Sequence, residues 1–345
     1  MSISSHKRMI YAVRDGQPVH IDDVERGLAC GCFCPACGER LIAKKGEKVM
    51  HHFAHQSGTE CEHGYETSLH LAAKDILSNA GRMMLPPASI CFPDSPKAVP
   101  ITEEPIELPI DRVELEQRMD TITPDVVVFS GEKKLLVEVY VSHKVDDIKQ
   151  KKIEELHLSA IEIDLSKAER TLSREELAEI LVNGSEEKTW INNEYANRLR
   201  DQFYKVAEIK PIISRGYAIH VDNCPIKARI WHGIPYANVL DDCSYCKYMV
   251  SDNRERILCT GKERIASIDD FNITLSERLE NEAEENRKRF FEKALRSIDV
   301  GICPKCGEDL IVNPCEDRIR WECTNSRFCD FAAESDPENG EIIIL

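Results

Sequence analysis

The chain reads as an α/β protein whose core runs helix, three strands, helix, strand (αβββαβ), framed by metal-dependent modules on both sides. Three observations predict this. An amphipathic helical pattern at 66–80 precedes three strand-like runs and a further helix–strand pair. Cysteine and histidine pairs at metal-ligand spacing occur before and after that segment. Two carboxylates, Asp125 and Glu138, fall on neighbouring strand candidates joined by a short turn.

Residues 8–20 alternate as a strand pair turning at Asp15-Gly16, and a compact Cys/His module follows, so 1–64 forms an N-terminal zinc-binding module. Leu69, Ala72, Ala73, Ile76 and Leu77 recur at helical spacing. The stretch from Pro86 to Pro100 predicts a break in regular structure. Strands are expected at 107–118, 124–130 and 134–142, with Ser130-Gly131-Glu132-Lys133 as the turn between the last two. Val145, Ile148, Ile153 and Leu156 predict a short helix, and 160–165 a buried strand. A mixed sheet flanked by helices buries these faces, which makes 65–185 the core. Ser173 and Glu176 form a capping box that opens another helix. A polar helix at 187–208 and a second cysteine cluster at 211–262 make up a module at 186–270. A charged linker helix follows at 271–298, and 299–345 forms a third module ending in the strand Ile342–Leu345.

Fifteen cysteines in 345 residues need a compartment to give them meaning. The first eight residues lack the apolar run of a secretory leader, and no stretch approaches the roughly 18–20 apolar residues of a membrane span. A cytoplasmic location is expected, so Cys-x-x-Cys pairs read as metal sites rather than disulfides. The net charge of −16 counts against a broadly basic nucleic-acid surface, although Lys144, Lys149, Lys151 and Lys152 cluster beside the acidic pair.

Cys34-x-x-Cys37 followed by His52-x-x-His55 is the spacing of a closed, structural Zn2+ site, with Cys30, Cys32, His51, Cys61 and His63 as competing ligands. Cys303-x-x-Cys306 with Cys323 and Cys329 forms a second such set, and Cys315 is a spare. This set resembles the zinc ribbons of bacterial topoisomerases, which bind single-stranded DNA. Trp321 and Phe328 either stack on bases there or pack the small ribbon core. In the middle cluster, Cys243-x-x-Cys246 pairs with Cys259 and Cys224, with His220 and His232 as rivals. Zinc is the expected metal, giving two to three zinc sites, and an iron–sulfur (Fe–S) cluster is the alternative for the middle one.

A nuclease must polarise a phosphate, activate water and stabilise the leaving oxygen, and Mg2+ or Mn2+ held by carboxylates does all three. Glu138, Tyr140 and Ser142 share one face of their strand, beside Asp125. The carbonyl of Val139 is a further oxygen ligand. This is the PD-(D/E)XK pattern of the restriction-endonuclease-like core, with Tyr140 at the position of the lysine. Lys144, Lys149 or, as a proton relay, His143 can take the role of that lysine. Glu66, His70 and Lys74 line one helix face, either completing the site or forming a solvated stripe. Glu162 and Asp164 straddle the last core strand.

Several of these segments resemble the competence protein CoiA-like family. They are Cys34-Pro35-Ala36-Cys37-Gly38, Lys44-Lys45-Gly46, His52-Phe53-Ala54-His55, Glu66-Thr67-x-Leu69-His70-x-x-Ala73-Lys74, Pro124-Asp125-Val126 and Val141-Ser142-His143. The resemblance covers residues 8–165 and leaves out the two C-terminal cysteine modules. It implies a PD-(D/E)XK nuclease domain and a link to DNA uptake and recombination in bacteria; family members often lack the lysine at the position of Tyr140. The expected function is Mg2+- or Mn2+-dependent hydrolysis of DNA phosphodiester bonds, in competence and recombination or in defence against foreign DNA. The substrate would be single-stranded, branched or duplex DNA, with a partner protein as a further requirement and no membrane. The competing expectation is a catalytically inactive nuclease fold that binds DNA ends or branched DNA through its zinc modules. A thiol-based redox or metal sensor is a third.

Overall fold

The computed structural model describes residues 8–345 apart from 48, 60, 62, 94, 96, 143, 168–172, 316–317, 337 and 340, and only the backbone of 49 and 315. The chain is a mixed α/β protein built of several small sheets. It divides into two units, Met1–Val206 with Val250–Glu255 and Ala207–Met249 with Arg256–Leu345.

In the first unit β1 (Tyr11–Arg14) pairs with β2 (Gln17–His20), and β3 (Leu41–Gly46) with β4 (Val49–His55). Helix α1 (Gly64–Ser78) buries Leu69, Ala72, Ala73, Ile76 and Leu77, the stripe its periodicity requires. These side chains share one apolar core with Tyr11, Leu41 and Phe53 of the N-terminal hairpins and with the inward-facing valines of the central sheet.

The Pro-rich stretch corrects the expectation of irregular chain. After β5 (Arg82–Leu85), β6 (Ala88–Cys91) and β7 (Ala98–Thr102) form an antiparallel pair. Pro100 sits inside β7, which a two-stranded ladder tolerates because each strand has one edge free of ladder bonds. The strand expected at 107–118 divides into β8 (Ile106–Pro109), which pairs with β5, and β9 (Arg112–Leu115).

The central sheet contains β9, β10 (Val126–Ser130), β11 (Lys133–Tyr140), β12 (Ser159–Asp164) and β13 (Lys188–Asn192), in the order β13-β12-β11-β10-β9. Strands β9, β10 and β11 form an antiparallel meander; α2 (Asp147–Glu155) then carries the chain across to β12, parallel to β11. The two faces of the sheet follow from strand parity. Val137 and Val139 point into the core shared with α1, whereas Leu136 meets Ile153 of α2 with Val127 and Phe129. Glu138 has the parity of Leu136 and so lies on the α2 side.

The polar helix expected at 187–208 is corrected at its start. Lys188–Asn192 is the edge strand β13, and the helix α4 (Glu194–Val206) begins only after Asn193, whose side chain accepts the Ala196 N–H at 3.0 Å. Thr189, Trp190 and Ile191 favour a strand, and the β12 edge supplies its partner. The capping box at α3 (Arg174–Ala178) is present: Ser173 Oγ accepts the Glu176 N–H, and Glu176 accepts the Ser173 N–H.

Strand β19 (Met249–Asp252) falls mostly in the Val250–Glu255 segment assigned to the first unit; within the second, β14 (Glu208–Pro211) pairs with β20 (Arg256–Cys259). A four-stranded sheet joins β15 (Ile213–Arg215), β16 (Ala218–Asp222), β18 (Ile234–Asn238) and β17 (Arg229–Trp231) in that order. Helix α5 (Leu275–Asp299) is more than a linker, because its last turns bury Ala294 and Ile298 against Leu310, Phe331 and Ala333. The C-terminal sheet runs β21 (Leu310–Cys315), β22 (Arg318–Cys323), β23 (Ala332–Ser335), β24 (Ile342–Ile344). Trp321 packs against this core, whereas Phe328 is 87% exposed. Among the described residues no helix is long and apolar enough to cross a membrane.

Candidate functional site

Asp125 lies just before β10, and extending the Val126–Val137 register by one step sets it opposite Glu138. Its Oδ2 accepts the Val139 N–H at 3.0 Å, which ties the carboxylate across the end of the hairpin. Helix α1 brings His70 Nδ1 to 3.3 Å from that Oδ2 and Lys74 Nζ to 4.0 Å from Oδ1. Lys74 pairs more closely with Glu116, at 2.5 Å. Glu138 is only 5% exposed, and its Oε1 lies 2.7 Å from Lys149 Nζ. Asp146, the N-cap of α2, accepts the Lys149 N–H at 2.7 Å and so seats that lysine in the first turn.

The stripe of Glu66, His70 and Lys74 turns towards this site rather than to solvent. Glu66 Oε1 accepts the Ser142 hydroxyl at 2.6 Å. Of the two lysines offered by the sequence, Lys149 meets Glu138. Lys144 instead stands over the Tyr140 ring at 5.4 Å, and its charge helps hold Asp164 below the usual carboxylate range. His143 lies outside the described residues. Glu162 is the neighbour that strand parity alone undervalued: it is the in-register partner of Glu138 on the parallel strand β12, buried, with Oε2 accepting the Val145 N–H at 2.9 Å. Its sequence signal was an acid inside a buried run, but the register that sets it beside Glu138 comes from the crossover through α2.

The two principal carboxylates are shifted in opposite directions. Burial raises Asp125, but the hydrogen bond and charge of His70, the Val139 N–H and Lys74 outweigh it and hold the group below its ordinary range. Burial pushes Glu138 from an ordinary 4.5 up to about 7; Asp125 adds to this rise and Lys149 opposes it. A raised carboxyl stabilises the fold in its protonated form, so this contribution is complete below pH 4.5 and is lost as pH rises through about 7. Without added divalent cation, Glu138→Gln is therefore expected to be more stable than the native chain at pH 8, by roughly 1–3 kcal/mol. The advantage should shrink as pH falls towards 5.5, which thermal unfolding across that range would measure.

Two cysteine centres converge tightly. The donor atoms of Cys34, Cys37, His55 and Cys61 all lie within 4.8 Å of one another, as do those of Cys303, Cys306, Cys323 and Cys329. Each group can hold a metal ion. Both start from a Cys-Pro-x-Cys-Gly knuckle with the same backbone bonds: Gly38 N–H to Cys34 C=O and Gly307 N–H to Cys303 C=O, each 2.9 Å. The two glycines have φ of 73° and 82°, a left-handed turn that any side chain would strain. In the first centre the expected His52 is replaced by Cys61. Residues three apart on a strand point to opposite faces, so His55 joins the cysteines while His52 Nδ1 bonds the Met50 carbonyl at 3.0 Å. Three of the other competitors are engaged elsewhere: Cys30 and Cys32 donate to the carbonyls of Leu41 and Cys30, and His51 pairs with Asp22 at 2.6 Å.

The middle cluster is arranged differently. Cys224, Cys243, Cys246 and Cys259 line one cavity in the second unit. The two rival histidines do not line it: the His220 ring packs on Tyr236, centroids 5.5 Å apart, and the His232 ring on Trp231 at 4.8 Å.

These features define a mixed α/β protein with cysteine centres able to hold metal and an acidic pair, Glu138 buried and Asp125 half-buried, at the end of its central hairpin. Residues 25–64, which carry the whole first centre, match the family model described as Competence protein CoiA, N-terminal domain, and this part of the chain is similar to that domain. No curated protein and no solved structure matches the chain.

Proposed function

We propose that this protein is a metal-dependent nuclease of the PD-(D/E)XK type that hydrolyses DNA phosphodiester bonds. One observation carries the reading: Asp125 and Glu138 oppose each other across a hairpin end, with Lys149 of α2 at 2.7 Å from the second and His70 of α1 at 3.3 Å from the first. The donor set fits a hard divalent cation, because it is all oxygen and a buried carboxyl held near pH 7 gains most from a nearby positive charge. Asp125 and Glu138 would hold Mg2+ or Mn2+; Glu162 is the in-register neighbour of Glu138, and Glu66 is held by the Ser142 hydroxyl. When bound, such an ion polarises the scissile phosphate and makes a coordinated water more acidic.

The chain's own groups supply the rest. Lys149 sets a fixed positive charge against the negative charge that develops on the phosphate. His70 anchors Asp125 and faces the phosphate that the pair would bind. Lys149→Ala is expected to lower kcat by about 10²–10³-fold with KM little changed, since the interaction belongs to the transition state. A rise in KM at unchanged kcat would reduce Lys149 to a binding group. The two tight cysteine centres are read as structural zinc. The match of residues 25–64 to a competence domain favours a role in uptake or recombination of DNA; defence against foreign DNA would use the same chemistry.

A second reading has its own observation. His70 and Lys74 give Asp125, and Lys149 gives Glu138, positively chargeable partners from the chain itself, as a nuclease fold retained only for binding would do. A panel of linear, single-stranded and branched DNA with Mg2+ or Mn2+ separates the two. Cleavage supports the nuclease, and tight binding to ends or branches with no cleavage under any metal supports the second reading.

A further inference from the structure

The middle cysteine cluster differs from the outer two in a way that ligand type does not explain. Zn–S bonds of about 2.3 Å in a tetrahedron put sulfurs about 3.8 Å apart. Both outer centres meet that need, with all donor atoms inside 4.8 Å of one another. No three sulfurs among Cys224, Cys243, Cys246 and Cys259 do so, although all four residues are described and all four border one cavity. These thiols encircle a space rather than converge on a point.

The space is built into the module. Cys224 follows β16, Cys243 and Cys246 lie in the turn after β18, and Cys259 ends β20, so three separate segments close around it. Asn238 holds the turn by accepting the Leu240 and Asp241 N–H groups at 2.9 and 3.0 Å. Gly261 donates its N–H to Cys259 Sγ at 3.4 Å, and a Cβ there would come within 2.9 Å of Pro225 Cγ. Val221, Ile226, Ala237, Met249 and Ile257 form apolar walls. Packed interiors leave few voids, and a void in so small a module costs stability unless something fills it.

We infer that the middle module binds a [4Fe–4S] cluster through Cys224, Cys243, Cys246 and Cys259. Such a cluster takes one thiolate at each of four irons, so the sulfurs stand apart with the iron–sulfide core between them. Largely apolar walls, with Lys210 and Asp242 also at the lining, and a backbone N–H on a ligating sulfur are the surroundings that shield and tune it. The cluster would clamp the end of β20 to the segments that follow β16 and β18. This inference rests on the thiol spacing and the cavity, and stands whether or not the acidic site cleaves DNA.

The test is metal and sulfide content of the full chain purified without oxygen and then reconstituted with ferrous iron and sulfide. The expected result is about four iron and four acid-labile sulfide per chain beside about two zinc, with a brown visible absorption that falls on reduction. Cys243→Ser with Cys246→Ser should abolish iron and colour and leave the zinc unchanged. About three zinc with no iron, or a middle module that takes neither metal after reconstitution, would overturn the inference. So would iron retained at full stoichiometry in the double variant. Should that variant fail to fold, the composition of the native chain decides the matter by itself.

Discussion

Replacing Glu138 by alanine is expected to abolish divalent-cation-dependent cleavage of DNA, a loss of at least about 10³-fold, because it removes a carboxylate on which the proposed cation depends. Zinc content should not change, since Glu138 lies on β11 and belongs to neither tight cysteine centre. Folding should also survive. Glu138 is buried with its carboxyl raised to about 7, so its removal relieves a burial cost near neutral pH, and its partner Lys149 is partly exposed, so water can take the place of the lost carboxylate. The combination is diagnostic: lost cleavage with retained melting temperature and zinc places the chemistry at the hairpin end. Full activity in the Glu138 variant would sink that assignment. Activity lost together with folding would leave Glu138 a structural residue.

The second large effect concerns the C-terminal module. Its apolar core is small, chiefly Leu310, Phe331 and Ala333 closed over by Ala294 and Ile298 of α5. A core of that size rarely holds a fold of this length. Zinc in comparable small modules contributes about 10–16 kcal/mol of apparent binding energy that serves as folding energy. Cys306→Ser is therefore expected to lose one zinc per chain and unfold 301–345, seen as rapid proteolysis there and as loss of the fixed Trp321 environment. Asp125 and Glu138 lie in the other unit, so any cleavage that depends on them should persist on short substrates. A variant that keeps full zinc and resists protease would show that this centre is held together by packing rather than by metal.

Much of this architecture was legible in the residues. The stripe from Leu69 to Leu77 specified α1, the capping box at Ser173 and Glu176 specified the start of α3, and the Cys-Pro-x-Cys-Gly knuckles specified two metal centres. All are local: each needs only a few residues and a fixed period or turn. Structure departs from local pattern where the outcome depends on a distant partner. Lys188–Asn192 has enough polar character to read as helix, and it became β13 because the edge of β12 was open to pair with it. Pro100 broke no strand because its ladder has only two members.

The sequence by itself determined that cysteines gather in pairs able to hold metal and that Asp125 and Glu138 stand on one hairpin, because ligand spacing and strand parity are properties of adjacent residues. Only the tertiary structure decided which groups meet. It chose Cys61 over His52, since strand parity turns His52 away from the face that carries His55. It set Lys149 rather than Lys144 against Glu138, since the capped first turn of α2 leans over that face of the sheet. It brought Glu162 beside Glu138 through a parallel register that no local pattern encodes. And it spread four thiols around a cavity where spacing alone had favoured the same zinc as elsewhere. Local chemistry selects the kinds of ligand a chain can offer; the distances between them are set by packing of segments far apart in sequence.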